Sequence, residues 1–128
     1  MFENLEIMSM AQAMARHAAL RQNIVSQNIA NADTPGYRAR DVSPFSQIYG
    51  SGAETGMAAT RAGHLTAGPE GGASPRISRL DTDLSPNGNS VSLEAEMVKA
   101  VEVRRQHDRA LAIYKSSMNV LRASLGRG

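Results

Sequence analysis

Two long stretches without glycine or proline, one towards each end, constrain this chain more than any other feature. Neither residue occurs from Met1 to Ala32, and a second unbroken run extends from Ser92 until Gly126. Between them, Val42–Ser90 carries 8 Gly and 4 Pro among many Ser and Thr. In the first run, Met8, Ala11, Ala15, Ala18, Gln22, Val25 and Ile29 recur at alternating spacings of three and four. That is a heptad seam, broken only by Gln22. Ile7, Met10, Met14, Ile24 and His17 flank it. In the last run the same spacing links Leu93, Met97, Ala100, Arg104, His107, Leu111, Tyr114, Met118, Leu121 and Leu125. All but Arg104 and His107 are apolar or Tyr, so this is the stronger seam.

The spacings predict helices over about 5–31 and about 92–125, with an irregular middle over about 32–91. At 1.5 Å per residue these helices would be roughly 40 and 50 Å long. Isolated helices are marginal in water without packing along an apolar face. The expected fold class is therefore all-α, in a single domain. Two long terminal helices pair as an antiparallel coiled coil, joined by a long irregular Gly/Pro/Ser-rich segment. Within that segment, Arg76–Leu80 is compatible with a short strand.

Local chemistry marks the helix ends. Asn31-Ala32-Asp33-Thr34 runs into Pro35-Gly36. A residue before proline is pushed out of helical geometry. Pro-Gly suits the centre of a type II turn, whose third position needs positive φ. Ser92 is a candidate N-cap for the last helix, and Glu94 and Glu96 complement its positive end. Arg122 and Arg127 sit near the opposite end.

Composition bears on self-sufficiency. The 128 residues include 2 Phe, 3 Tyr and no Trp, and much of the 41% hydrophobic fraction is Ala. Burial contributes roughly 25 cal/mol per Å² of apolar area. Backbone ordering costs on the order of 1–2 kcal/mol per residue. A chain short of large apolar side chains is expected to complete its core with partners. The net charge of +2 does not by itself argue for nucleic acid, and the absence of Cys excludes disulfides and thiolate metal sites. The acidic start, and the interruptions at Gln12, Arg16 and His17, do not match a cleavable signal peptide. No stretch has the roughly 20 apolar residues that span a bilayer. The expectation is a soluble chain, or one exported without signal cleavage.

No catalytic, metal or cofactor constellation emerges. His17, His64 and His107 lie in three different zones. Asp81/Asp83 and Glu94/Glu96 are spaced by two, which does not share a helical face. Asp81-Thr82-Asp83 lacks the later ligands of a calcium loop, and a turn is the better reading. Gly71-Gly72 lacks the Gly-Lys-Ser/Thr of a phosphate loop. Arg104, Arg105 and Arg109 are interleaved with Glu102 and Asp108, as on a solvated helix face. No small-molecule substrate is expected.

One string is specific beyond periodicity: Asn28-Ile29-Ala30-Asn31-Ala32-Asp33-Thr34-Pro35-Gly36-Tyr37-Arg38-Ala39-Arg40-Asp41. It resembles the signature closing the first helix of the flagellar rod and hook axial proteins, and its continuation through Ala39-Arg40-Asp41 resembles the proximal rod type. A sister rod subunit would diverge after Asn31-Ala32-Asp33. Asn87 through Met97 is similar to the segment opening that family's last helix. Asn28 and Asn31 share a face at i and i+3, where their amides could satisfy helix-end carbonyls or bridge to a neighbour. Tyr37 supplies a large anchor beside the turn.

The resemblance implies a non-enzymatic subunit of the periplasm-spanning basal-body rod, assembling through its terminal helices to transmit torque. Implied partners are other rod proteins, the membrane-ring/rod-base junction, copies of itself and the flagellar type III export apparatus. Implied assembly residues are Asn28, Ile29, Ala30, Asn31, Thr34, Pro35, Gly36 and Tyr37. The helix-packing interface is expected at Met97, Leu111, Tyr114, Met118, Leu121 and Leu125. Phe45-Ser46-Gln47-Ile48-Tyr49 resembles the Phe-x-x-x-apolar export-gate motif of such subunits, through Phe45 and Tyr49. The competing readings are another rod subunit of the sister type and, further off, a small helical nucleic-acid binder or a coiled-coil adaptor.

Overall fold

The computed structural model of the chain describes residues 2–51 and 75–126. His64, Gly71, Gly72 and Arg127 lie outside the described residues. The elements run α1 (Phe2–Ala30), β1 (Arg40–Val42), α2 (Phe45–Ser51), β2 (Ile77–Arg79) and α3 (Leu93–Leu125). Both long helices fall within a few residues of the spans that periodicity predicts. α1 starts earlier, at Phe2, and α3 spans 33 residues.

The middle segment holds more order than its composition suggests. β1 and β2 pair antiparallel, with Arg40 opposite Arg79, Asp41 opposite Ser78 and Val42 opposite Ile77. Strand β2 lies where Arg76–Leu80 was expected to allow one; β1 and α2 are additions to the expected all-α architecture. Short strands carry too few residues for an alternation to show in sequence. Here the pairing is stabilised by the α1 packing beneath it, which buries Ala39 and Val42. Helix α2 begins directly after Pro44, whose carbonyl accepts from the Gln47 and Ile48 amides. Asp81-Thr82-Asp83 is irregular chain and not a turn.

Helices α1 and α3 pack along their length. Gln106 of α3 meets His17 of α1, and Glu102 meets Arg21. Four residues forward along one helix thus correspond to four back along the other. The buried line on α1 includes Ala11, Ala18 and Val25, each seven apart, with His17, Ile24 and Asn28 beside them. On α3 it is Glu96, Val103, Ala110 and Ser117, again seven apart. Facing small residues let two helix backbones approach closely and interlock with little side-chain volume.

Ser92 caps α3 as expected, accepting from the Ala95 amide at 3.4 Å. At the other end the Gly126 amide donates to the Arg122 carbonyl at 2.8 Å. Among the described residues, no helix is long and apolar enough to cross a membrane.

Candidate functional site

The two segments that stand out in the sequence, Asn28–Asp41 and Asn87–Met97, meet at one end of the helical pair. Each contributes a tight turn with a left-handed glycine. In the first, the Tyr37 amide donates to the Thr34 carbonyl at 3.3 Å, and Gly36 has φ +75°. Pro35 and Gly36 therefore occupy the centre of the type II turn that their order demands. In the second, the Gly88 amide donates to the Ser85 carbonyl and the Ser85 amide to the Asn89 carbonyl, both at 2.8 Å. Ser85-Pro86-Asn87-Gly88 has the residue order of a type I turn, and Gly88, at φ +82°, supplies the bulge after it.

The turns are bonded to each other. The Gly36 amide donates to the Asn87 carbonyl, and the Ser90 amide to the Tyr37 carbonyl, each at 3.0 Å. The Ser90 hydroxyl accepts from the Ala39 amide at 2.7 Å. At the centre sits Asn89, only 2% exposed. Its side-chain nitrogen donates to the carbonyls of Asn31, Ala32 and Thr34 at 2.8–2.9 Å. Two N–H groups are thus shared by three carbonyls where α1 unwinds, two of which also accept a backbone amide. Its side-chain oxygen accepts from the Val91 amide at 2.7 Å, completing the inventory.

Asn28 performs the matching task within the last turn of α1. Fully buried, it donates to the Arg40 carbonyl at 2.7 Å and accepts from the Arg40 amide at 3.1 Å. The side-chain amide thereby imitates a strand neighbour for β1. The Tyr37 hydroxyl donates to the same Asn28 oxygen at 3.3 Å. The shared-face reading of Asn28 and Asn31 is thus corrected in part. Asn31 does satisfy a helix-end carbonyl, that of Gln27, at 2.8 Å. Asn28 is turned inward to the strand and is closed to any neighbouring molecule.

A chain of alternating charges lies beside this junction. The Arg21 guanidinium grips Asp41 with two bonds, at 3.0 and 3.3 Å. Lys99 lies 3.8 Å from Asp41 and 3.3 Å from Glu96, and Arg21 lies 3.9 Å from Glu102. Burial pushes the Asp41 carboxyl up, but the Arg21 hydrogen bond, the Val42 amide and the charges of Arg21 and Lys99 outweigh it. The group is held below its ordinary value of 3.8. Glu96 is 1% exposed, and its Oε2 has no partner among the described residues. His17 is buried between Ser43, whose carbonyl accepts from Nε2 at 2.7 Å, and Gln106, which donates to Nδ1 at 3.3 Å.

Other expected interface residues are placed differently from one another. Tyr114, Met118 and Leu121 are half-buried on α3, whereas Met97, Leu111 and Leu125 are 57%, 50% and 69% exposed. The buried line 96–103–110–117 runs one residue behind the expected line 97–104–111–118. One residue is about 100° around a helix, so the large side chains flank the intramolecular face instead of filling it. Ile29, Ala30, Thr34, Pro35 and Gly36 are at the surface. Phe45 and Tyr49 share α2; the Phe45 ring lies 5.7 Å from His17 and 5.6 Å from Tyr49.

Asn89, Ser90, Glu96, Arg21 and Asp41 were not picked out as site residues by sequence. The carbonyls that Asn89 joins lie 55–58 positions away and leave no local mark.

Residues 11–38, spanning most of α1 and its exit turn, match the family of flagella basal body rod proteins. The chain is 35% identical to the flagellar basal body rod protein FlgB of Agrobacterium fabrum, over 88% of this chain and 87% of that one. It is 34% identical to FlgB of Salmonella typhimurium, over 80% and 83% of the two chains. Identity to FlgB of Bacillus subtilis is 25%, over 95% and 94%. The chain belongs to the FlgB family of flagellar basal body rod proteins, and is a structural subunit of that rod.

Proposed function

We propose that this rod subunit is a single domain whose α1 and α3 form an antiparallel coiled coil, and that it joins the shaft through the large apolar side chains this coil leaves outside. The observation that carries the reading is an inversion. The face between the helices is mostly Ala, Val, Ser, Asn and Glu, with Ile24 and His17 beside them, while Phe2, Leu5, Met97, Val98, Val101, Leu111, Val120 and Leu125 remain exposed. Scattered exposed apolar residues are ordinary. A helical pair that buries mostly small residues and leaves this many large ones outside is built to be covered.

The covering partners are other rod proteins, the rod-base junction at the membrane ring, and copies of the same chain. The subunit performs no catalysis; its work is torque transmission from the ring towards the hook. It reaches the periplasm-spanning rod through the flagellar type III apparatus, with Phe45 and Tyr49 as the export motif. In the folded chain, Phe45 is engaged with His17. Export recognition of Phe45 therefore belongs to the unfolded chain.

Leu111→Asp tests the assembly role. Leu111 is half exposed beside the α1–α3 face, so a charge there leaves the fold intact and spoils a neighbour's contact. The expected result is a chain with wild-type helicity that fails to restore swimming to a deletion strain and is missing from purified basal bodies. Normal swimming would refute the proposal.

A further inference from the structure

The turn that closes the junction is built on Asn87-Gly88, and the fold cannot exchange that glycine. Its φ of +82° is a backbone conformation that strains any L side chain. Asparagine followed by glycine is also the dipeptide in which a backbone nitrogen most easily attacks the preceding side chain, because nothing on the next residue blocks the approach. We propose that Asn87 is a site of spontaneous deamidation gated by folding, slow while the two turns are bonded together and fast whenever the chain is unfolded.

The chemistry needs only water. The Gly88 amide nitrogen loses its proton to solvent and attacks Asn87 Cγ. A C–N bond forms, the bond from Cγ to the side-chain nitrogen breaks, and ammonia leaves with the proton returned. The resulting five-membered imide is opened by one water molecule at either carbonyl. One opening gives aspartate; the other gives isoaspartate, in which the main chain runs through the former side-chain carbon.

The folded junction opposes each requirement. The Gly88 N–H is held by the Ser85 carbonyl at 2.8 Å. The Asn87 side-chain oxygen is held by the Asn89 amide at 3.1 Å, and its main-chain carbonyl by the Gly36 amide at 3.0 Å. Attack requires these bonds to open together, so its rate follows the population of locally unfolded chain. Isoaspartate adds a methylene between residues 87 and 88. The Gly36–Asn87 bond and the seating of Asn89 on three carbonyls cannot then be satisfied at once. A chain that lingers unfolded before assembly thus loses its ability to close the junction. The inference rests on the turn geometry and holds independently of the rod assignment.

The test incubates the full chain at mildly alkaline pH in buffer, in buffer with a stabilising osmolyte and in denaturant. Helicity is followed by circular dichroism. Tryptic peptide Leu80–Lys99 is assayed by mass spectrometry and for isoaspartate with the repair methyltransferase. Conversion of Asn87 is expected to be on the order of tenfold faster in denaturant than in the helical samples. In denaturant it should also outpace Asn23 and Asn119, which precede Ile24 and Val120. Asn89→Ala, which loosens the junction without touching the dipeptide, is expected to accelerate Asn87 conversion in buffer. Equal rates in helical and denatured samples would overturn the proposal. So would an unchanged rate in Asn89→Ala, or slower conversion at Asn87 than at Asn23 in denaturant.

Discussion

The two ends of the helical pair are held by different physics. At the end where α1 finishes and α3 begins, almost every polar group is assigned a partner. Asn28 and Asn89 satisfy strand and turn backbone, two glycines supply the left-handed corners, and Arg21, Asp41, Lys99 and Glu96 form a charge chain. At the opposite end, Phe2 and Leu5 are 85% and 54% exposed and Val120 and Leu125 stand in solvent, without such a network; Met97, Val98 and Val101 carry the exposed apolar surface on along the outside of α3. Hydrogen bonds are directional and finish their work inside one chain. Exposed apolar surface is unspent binding capacity. The contrast separates what makes the subunit from what makes it a component.

The largest expected effect falls on the junction. Asn89→Asp sets a carboxylate against three carbonyls at the negative end of α1 and should cost about 3–5 kcal/mol, the range for an uncompensated buried charge. Thermal unfolding followed by circular dichroism would report it, and an unchanged midpoint would remove Asn89 from its central place. Asn28→Ala abandons the Arg40 amide and carbonyl together. The expected cost is about 3 kcal/mol, with loss of the β1–β2 pairing visible in amide exchange. Along the coil, Ala18→Leu forces volume between closely packed backbones and should cost about 1–3 kcal/mol. A stabilised variant would mean that the helices are further apart than their small residues imply.

Acid probes the charge chain. Because folding lowers the Asp41 value, its contribution is complete above the ordinary value of 3.8 and is lost as pH falls through the depressed folded value. Stability should therefore drop on acidification below about pH 4, and Asp41→Asn should flatten that part of the profile. The smallest effect on stability belongs to the open end. Phe2→Ser with Leu5→Ser is expected to leave unfolding within about 0.5 kcal/mol of wild type. Its consequence should appear only in assembly, as reduced recovery of the subunit in basal bodies. A large loss of stability would mean that this end, too, is finished within the chain.

Much of the fold was legible because its signals are local. Heptad spacing gives helix existence and length, Ser92 gives a cap, and Pro35-Gly36 gives a type II turn from neighbouring residues alone. The family signature at Asn28–Asp41 is legible for the same reason: its turn chemistry lies within 14 consecutive residues. Orientation is another matter. Periodicity reports that a stripe exists, but large apolar residues pull the inferred stripe towards themselves. Here Met97 and Leu111 flank the face, while Glu96 and Ala110 one step behind them line it.

Local pattern by itself therefore determined two terminal helices, their ends and the Pro35-Gly36 turn. Only tertiary structure decided which side of each helix turns inward. It also decided that a buried Glu belongs there, and that Asn89 closes a turn more than 50 residues away. Those choices rest on pairings between distant segments, whose hydrogen bonds depend on geometry that neither segment encodes alone.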